Sequence, residues 1–238
     1  MQSIDSAIIL GKNQVKNNNH VVKIFTKSSG IKTVFVSTET KKKSVKNAVL
    51  QPLSICQIKY FKPKSSNLLK LQEARIEVPL LNIQVDVFKS TIGLFIADFL
   101  SQVLPQDSED GLYNFIENSI KIFNEIEAGK SNYHLLFLIK ISKWLGIQPT
   151  LNKTGNNFFD LKEGIFLYQK PLHPYYLSNE ETNIIAQLIV IEWSEIGKLK
   201  LKGITRRKLL NSIIHYYIFH IPGFKKPKAL TILEEVFD

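Results

Sequence analysis

Val21-Val22-Lys23-Ile24-Phe25-Thr26-Lys27 is the stretch that decides the fold. Residues i and i+2 of a strand share a face. Val22, Ile24 and Thr26 therefore lie on one side, and Val21, Lys23, Phe25 and Lys27 on the other. The stretch Ile55 to Lys62 repeats the pattern, with Cys56, Ile58 and Tyr60 against Gln57, Lys59 and Phe61. Working outward, strands are predicted over 4–10, 20–27, 31–37, 53–62 and 68–78, with turns at Ser28-Ser29-Gly30 and at Pro63 to Asn67. Five strands with a long connection after the third fit an OB-type β-barrel, whose binding surface is the face of its second and third strands with adjoining loops.

The charge of the chain sits in the same region. The whole sequence carries a net charge of +10, from 31 basic and 21 acidic residues. Residues 1–80 hold fourteen of the basic and only four of the acidic groups, so the remainder sums to zero. A field confined to one segment attracts a polyanion. Cations interleaved with aromatic rings suit single-stranded nucleic acid, because ammonium groups meet phosphates and ring faces stack on bases. For any one ring, burial in the core is the competing reading.

After Pro79 the apolar period changes from two to 3.6. Helices are predicted over 85–104, 112–128 (stopped by Gly129), 133–145 (capped by Ser131, stopped by Gly146), 178–197, from Thr205 to His220, and 229–236. Residues 152–177, with Gly155, Gly164, Pro171, Pro174 and several aromatics, read as an irregular excursion. The fold class is thus α+β: a five-stranded OB-type barrel over residues 1–80, then an all-α helical domain over 81–238 that carries the excursion. A second basic cluster includes Arg206, Arg207 and Lys208 at a helix start, where a docked phosphate would relieve repulsion.

Much chemistry is missing. His215 and His220 are five apart, which places them on different helix faces and excludes a helical metal pair. His134 lies in an apolar helix and reads as structural. Asp107, Glu109 and Asp110 read as helix N-terminal charges rather than a cation site. Neither a phosphate-cradling Gly-rich loop nor a Gly-x-Ser-x-Gly turn occurs. The single cysteine, Cys56, reads as a buried thiol and excludes an internal disulfide. No catalytic constellation is found, and the chain is expected not to be an enzyme. No apolar run is long enough for a membrane span and no secretory signal precedes the first strand, so a cytoplasmic protein is expected.

Ser6 to Leu10, Val22 to Thr26, Leu69 to Glu77, Leu136 to Pro149 and His215 to His220, taken in order, resemble the bacterial RecO family of recombinational repair proteins. Ser6 to Leu10, Val22 to Thr26 and Gly30-Ile31-Lys32 resemble its opening barrel, and Leu50-Gln51-Pro52-Leu53 the approach to its fourth strand. Leu69 to Glu77 is similar to its last strand, and Leu136 to Pro149 to the end of its central helix. His215-Tyr216-Tyr217 through His220, with Lys228-Ala229-Leu230 and Leu233, resembles its C-terminal helices. The resemblance implies binding of single- and double-stranded DNA, annealing of complementary strands, and cooperation with RecR. That pair would help RecA replace single-strand-binding protein, in the cytoplasm at the nucleoid. Many family members carry four zinc-binding cysteines after the central helices. Residues 152–177 hold none, so no zinc and no other cofactor is expected, with Phe158, Phe159, Ile165, Phe166 and Leu167 holding the excursion by apolar burial instead.

The expected contacts to DNA are Lys23, Lys27, Lys32, Lys41, Lys42, Lys43 and Lys46 for phosphates, Phe25 and Phe35 for bases, and Arg206, Arg207 and Lys208 as a second phosphate contact. An RNA-binding or ribosome-associated OB protein is the rival reading, since its backbone charge is the same. A third reading is a protein adaptor that takes the acidic tail of single-strand-binding protein near Lys121, Lys140 or Lys143.

Overall fold

The computed structural model describes residues 2–15, 19–37, 47–64, 68–107, 110–151, 157–178 and 180–236. By Cα packing these form two compact units, Met1–Asn124 and Glu125–Asp238. The first three helices thus pack with the strands, although the change from strands to helices falls at residue 80 as the sequence suggests.

Five strands open the first unit: β1 (Gln2–Gln14), β2 (His20–Thr26), β3 (Gly30–Val36), β4 (Ile55–Phe61) and β5 (Leu69–Val78). Their order is β1-β2-β3-β5-β4, with β4 back beside β1, so every strand has two hydrogen-bonded neighbours. All pairings are antiparallel except β3 with β5, which joins Val34 to Leu69 and Phe35 to Lys70. The thirteen-residue β1 serves two partners, β4 through Gln2–Ile8 and β2 through Ala7–Gln14. A register shift between Ile9 and Gly11 marks the irregularity that lets one strand bend between them. Alternation sets the interior: Val22, Ile24, Val34, Val36, Cys56, Ile58 and Tyr60 are buried there together.

Three helices follow: α1 (Leu81–Val85), α2 (Val87–Val103) and α3 (Asp110–Glu125). The single helix expected over 85–104 is broken at Asp86, whose carboxylate caps α2 by accepting from the Lys89 amide at 3.1 Å. Lys89 is wholly buried and donates its Nζ to the Asn124 carbonyl in the last turn of α3, at 2.8 Å.

The second unit is built round α4 (Tyr133–Trp144), an apolar helix buried on nearly every side. Against it pack α5 (Glu180–Val190), a 3₁₀ turn over Trp193–Lys198 and α6 (Gly203–His220), and α7 (Ala229–Val236) follows. Here the sequence reading needs four corrections. The helix expected over 178–197 is α5 plus the separate 3₁₀ turn, which Glu192 and Glu195 close as a reciprocal cap. Helix α6 starts at Gly203 without a side-chain cap, so Thr205 lies inside it. Ser131 lies in a 3₁₀ turn ahead of α4 and does not cap it. The unit is also not all-α: the excursion contains β6 (Phe158–Asp160), β7 (Ile165–Leu167) and β8 (Tyr176–Ser178), an antiparallel sheet in the order β7-β6-β8. Phe159, Phe166 and Leu177 form its buried row.

Candidate nucleic-acid interface

The outer face of β2 and β3 is covered at the hairpin end by the unit's own helices. Gly30 adopts φ +69°, and a Cβ there would run into the Gln106 carbonyl oxygen. The Ile31 amide donates to the Pro105 carbonyl at 3.3 Å. Phe25, opposite Ile31, is fully buried with its ring 5.7 Å from that of Tyr113 on α3. This corrects the expectation that Phe25 stacks on bases: alternation puts it outside the sheet interior, but a second layer of core covers it. Lys23 is corrected likewise. Its Nζ donates to the Ser101 carbonyl at 2.5 Å, in the last turn of α2, where carbonyls lack helical partners. Lys32 reaches the Gln106 carbonyl at 3.4 Å, and Lys27 is exposed at the turn after β2.

Toward the other end of the same face the described residues are exposed or part-exposed. Directly paired residues share a sheet face. Phe35 on β3 pairs with Lys70 on β5, and Lys70 pairs with Phe61 on β4. The row is therefore ring, cation, ring across three strands. Lys70 is exposed and both rings are part-exposed. Lys59 lies on the same face two residues before Phe61, and Lys62 and Lys64 are exposed just after it. Glu73, across from Lys59, is held by Arg75, whose Nε donates to it at 2.7 Å. Among the described residues, none of Lys59, Lys62, Lys64 and Lys70 has a carboxylate partner. Sequence reasoning missed Lys70. The alternation of β5 marks it as outward, but its place between two phenylalanines depends on a parallel pairing between residues 35 positions apart. Lys41, Lys42, Lys43 and Lys46, which follow β3 in sequence, lie outside the described residues.

The second expected cluster comes apart. Arg206 is corrected to a structural role: its Nε donates to Asn132 at 2.9 Å and its Nη2 to the Leu201 carbonyl at 3.1 Å. Lys208 is ion-paired with Glu181, and Arg207 is exposed. Lys121 pairs with Glu117 at 2.6 Å, Lys140 donates to the Ile189 carbonyl at 3.2 Å, and Lys143 is exposed on α4.

The perturbed titratable groups are structural. Burial, helped by Glu77, pushes the Cys56 thiol up to about 12. Burial drives the Tyr113 phenol far above its ordinary range. His134 is lowered to about 3 by burial and the Arg206 charge.

Comparison with known proteins gives one pattern over the whole chain. Residues 1–79 match the family described as Recombination protein O N terminal, and residues 84–229 that described as Recombination protein O C terminal. The chain is 33% identical to the DNA repair protein RecO of Flavobacterium psychrophilum and also 33% to that of Flavobacterium johnsoniae, over the full length of each. It is 29% identical to that of Azobacteroides pseudotrichonymphae over 98% of both chains. Among the described residues no helix is long and apolar enough to cross a membrane.

Proposed function

The chain belongs to the recombination protein O family of DNA repair proteins, and from that premise we propose that it is a non-enzymatic mediator of recombinational repair. It binds single- and double-stranded DNA and anneals complementary strands. With RecR it helps load RecA onto DNA covered by single-strand-binding protein, in the bacterial cytoplasm at the nucleoid. The ring of five strands, each with two neighbours, is read as an OB-type barrel.

The observation that carries the reading is the Phe35–Lys70–Phe61 row. Two rings offer π-faces to bases of any sequence, and the cation between them meets the backbone phosphate. The proposed site differs from the one read in the sequence. Its strands are β3, β5 and β4, and its groups are Phe35, Phe61, Lys59, Lys62, Lys64 and Lys70, with Lys27 and the run Lys41, Lys42, Lys43 and Lys46 as further phosphate contacts.

The test is annealing of two complementary labelled oligonucleotides by the wild type and by the variant Phe35→Ala, Phe61→Ala, Lys70→Glu, with folding checked by circular dichroism. Stacking is worth about 1–3 kcal/mol per base, so annealing at limiting protein falls at least tenfold in the folded variant. An unchanged annealing rate contradicts the site, and a preference for RNA over DNA oligomers contradicts the function.

A further inference from the structure

The small sheet of the second unit carries a second array of rings and cations. Its inward row is self-sufficient: Phe159 packs on Phe166 at 4.8 Å and on Tyr216 at 5.9 Å between centroids. The opposite face needs another account. Phe158 and Tyr176 meet edge to face at 5.6 Å, and both are part-exposed. The Nζ of Lys170 stands 5.4 Å from the centre of the Tyr176 ring. Beside the sheet, Lys162 Nζ stands 5.1 Å from the ring of Tyr175, which packs edge to face on Phe219 at 5.0 Å. Tyr168, just after β7, is 72% exposed, and among the described residues its ring has no aromatic or cationic partner.

Ion pairing separates these lysines from two others of the same unit. Lys198 and Lys208 are ion-paired with Glu195 and Glu181. Lys162 and Lys170 have no carboxylate partner among the described residues. The acid nearest in the sheet, Asp160, is buried and fully used. Its Oδ2 lies 3.1 Å from His173 Nε2, and its Oδ1 accepts from the Lys162 and Glu163 amides at 2.9 and 3.2 Å. Those bonds fix the turn that presents Lys162, and the Leu161 amide donates to the Tyr175 carbonyl at 3.0 Å, which fixes its ring partner. Glu163, next to Lys162 in the same turn, is also exposed, and among the described residues it makes no ion pair with Lys162.

We infer that this face, with Tyr168, Lys162 and Lys170 at its rim, is a second binding surface for single-stranded DNA, separate from the Phe35–Lys70–Phe61 row. Exposed rings spaced by unneutralised ammonium groups match a strand whose bases are unpaired and whose phosphates run alongside. A duplex hides the base faces and gains only the charge term. The inference rests on the proposed function and deepens it, because a protein that anneals must hold two strands, and two surfaces of this kind supply one each.

The test uses the full chain and oligothymidylate. Photo-crosslinking with 5-iododeoxyuridine oligomers, followed by peptide mapping, yields crosslinks in the peptide bearing Tyr168, Tyr175 or Tyr176 as well as in those bearing Phe35 or Phe61. The exposed-site variant Lys162→Gln, Lys170→Gln keeps its fold and lowers the log–log salt slope of single-strand binding by about 1 to 1.5, at roughly 0.7 for each phosphate no longer neutralised. Tyr168→Ala slows annealing severalfold. Absence of crosslinks in the second unit together with an unchanged salt slope overturns the inference, as does an equal loss for duplex and single strand. If Phe35→Ala and Phe61→Ala weaken binding while these variants do not, the inference alone fails. If the wild type binds no single strand, the proposed function fails with it.

Discussion

Lys23 on β2 donates to the backbone carbonyl of Ser101 in the last turn of α2. It is one of several lysines used in this way. Lys89 reaches Asn124 at the end of α3, Lys140 reaches Ile189 at the end of α5, and Lys32 reaches Gln106 just past α2. A helix C-terminus presents unpaired carbonyls and a partial negative charge, and a lysine answers both. A basic count is thus an upper bound on the groups left to meet a polyanion.

Lys23→Met is expected to lower stability by about 1 kcal/mol, the scale of a charge-assisted bond at a helix end. Single-strand affinity changes less than twofold. Urea denaturation and a binding titration check the two halves; a large affinity loss at constant stability would return Lys23 to the interface.

Phe25→Ala removes a fully buried ring packed on Tyr113 and is expected to cost about 3–5 kcal/mol. Gly30→Ala forces a side chain into a left-handed backbone against the Gln106 carbonyl, and about 2 kcal/mol or more is expected. Both are read by urea midpoint. An unshifted midpoint for either would mean that the helices do not close over the hairpin.

How far the sequence could be read follows from what each signal reports. Alternation located all five long strands and the inward set Cys56, Ile58 and Tyr60, because period two depends only on local geometry. It also put Phe25 and Lys23 on the correct face. What it does not encode is that α3 lies over that face, which is a tertiary fact. The strands β6, β7 and β8 are three residues each, too short for a period to show. The break at Asp86 was hidden because the apolar stripe runs on through Val85 and Phe88, although an Asp ahead of an apolar run is itself a cap signal.

Cys56 is fully buried, its thiol donates to the Val49 carbonyl at 3.4 Å, and burial raises it to about 12. A thiol reagent at pH 8 should leave the native protein unmodified and react with one equivalent in denaturant. Rapid native modification would mean that the core of the five-stranded sheet opens readily.

His134 is buried and lowered to about 3. The unfolded chain, with an ordinary histidine near 6.5, binds more protons between those values, so stability rises with pH across that window. It is complete above about pH 6.5 and declines as pH falls toward 3, with a slope of at most about 1.4 kcal/mol per unit from this group. Denaturation of wild type and His134→Gln at pH 7 and pH 5 checks it: the variant loses less on acidification. Equal losses would show that His134 is protonated in the folded state.

The central claim is that rings and cations on β3, β5 and β4 divide the binding of a strand between them. It is tested most directly by oligothymidylate affinity across a salt series for wild type, Lys70→Gln and the pair Phe35→Ala, Phe61→Ala. Lys70→Gln should flatten the log–log slope by about 0.7. The ring variant should lose at least tenfold at every salt with the slope unchanged, since stacking carries no counterions. A salt-insensitive wild-type affinity, or two variants whose curves overlay the wild type, would contradict the account.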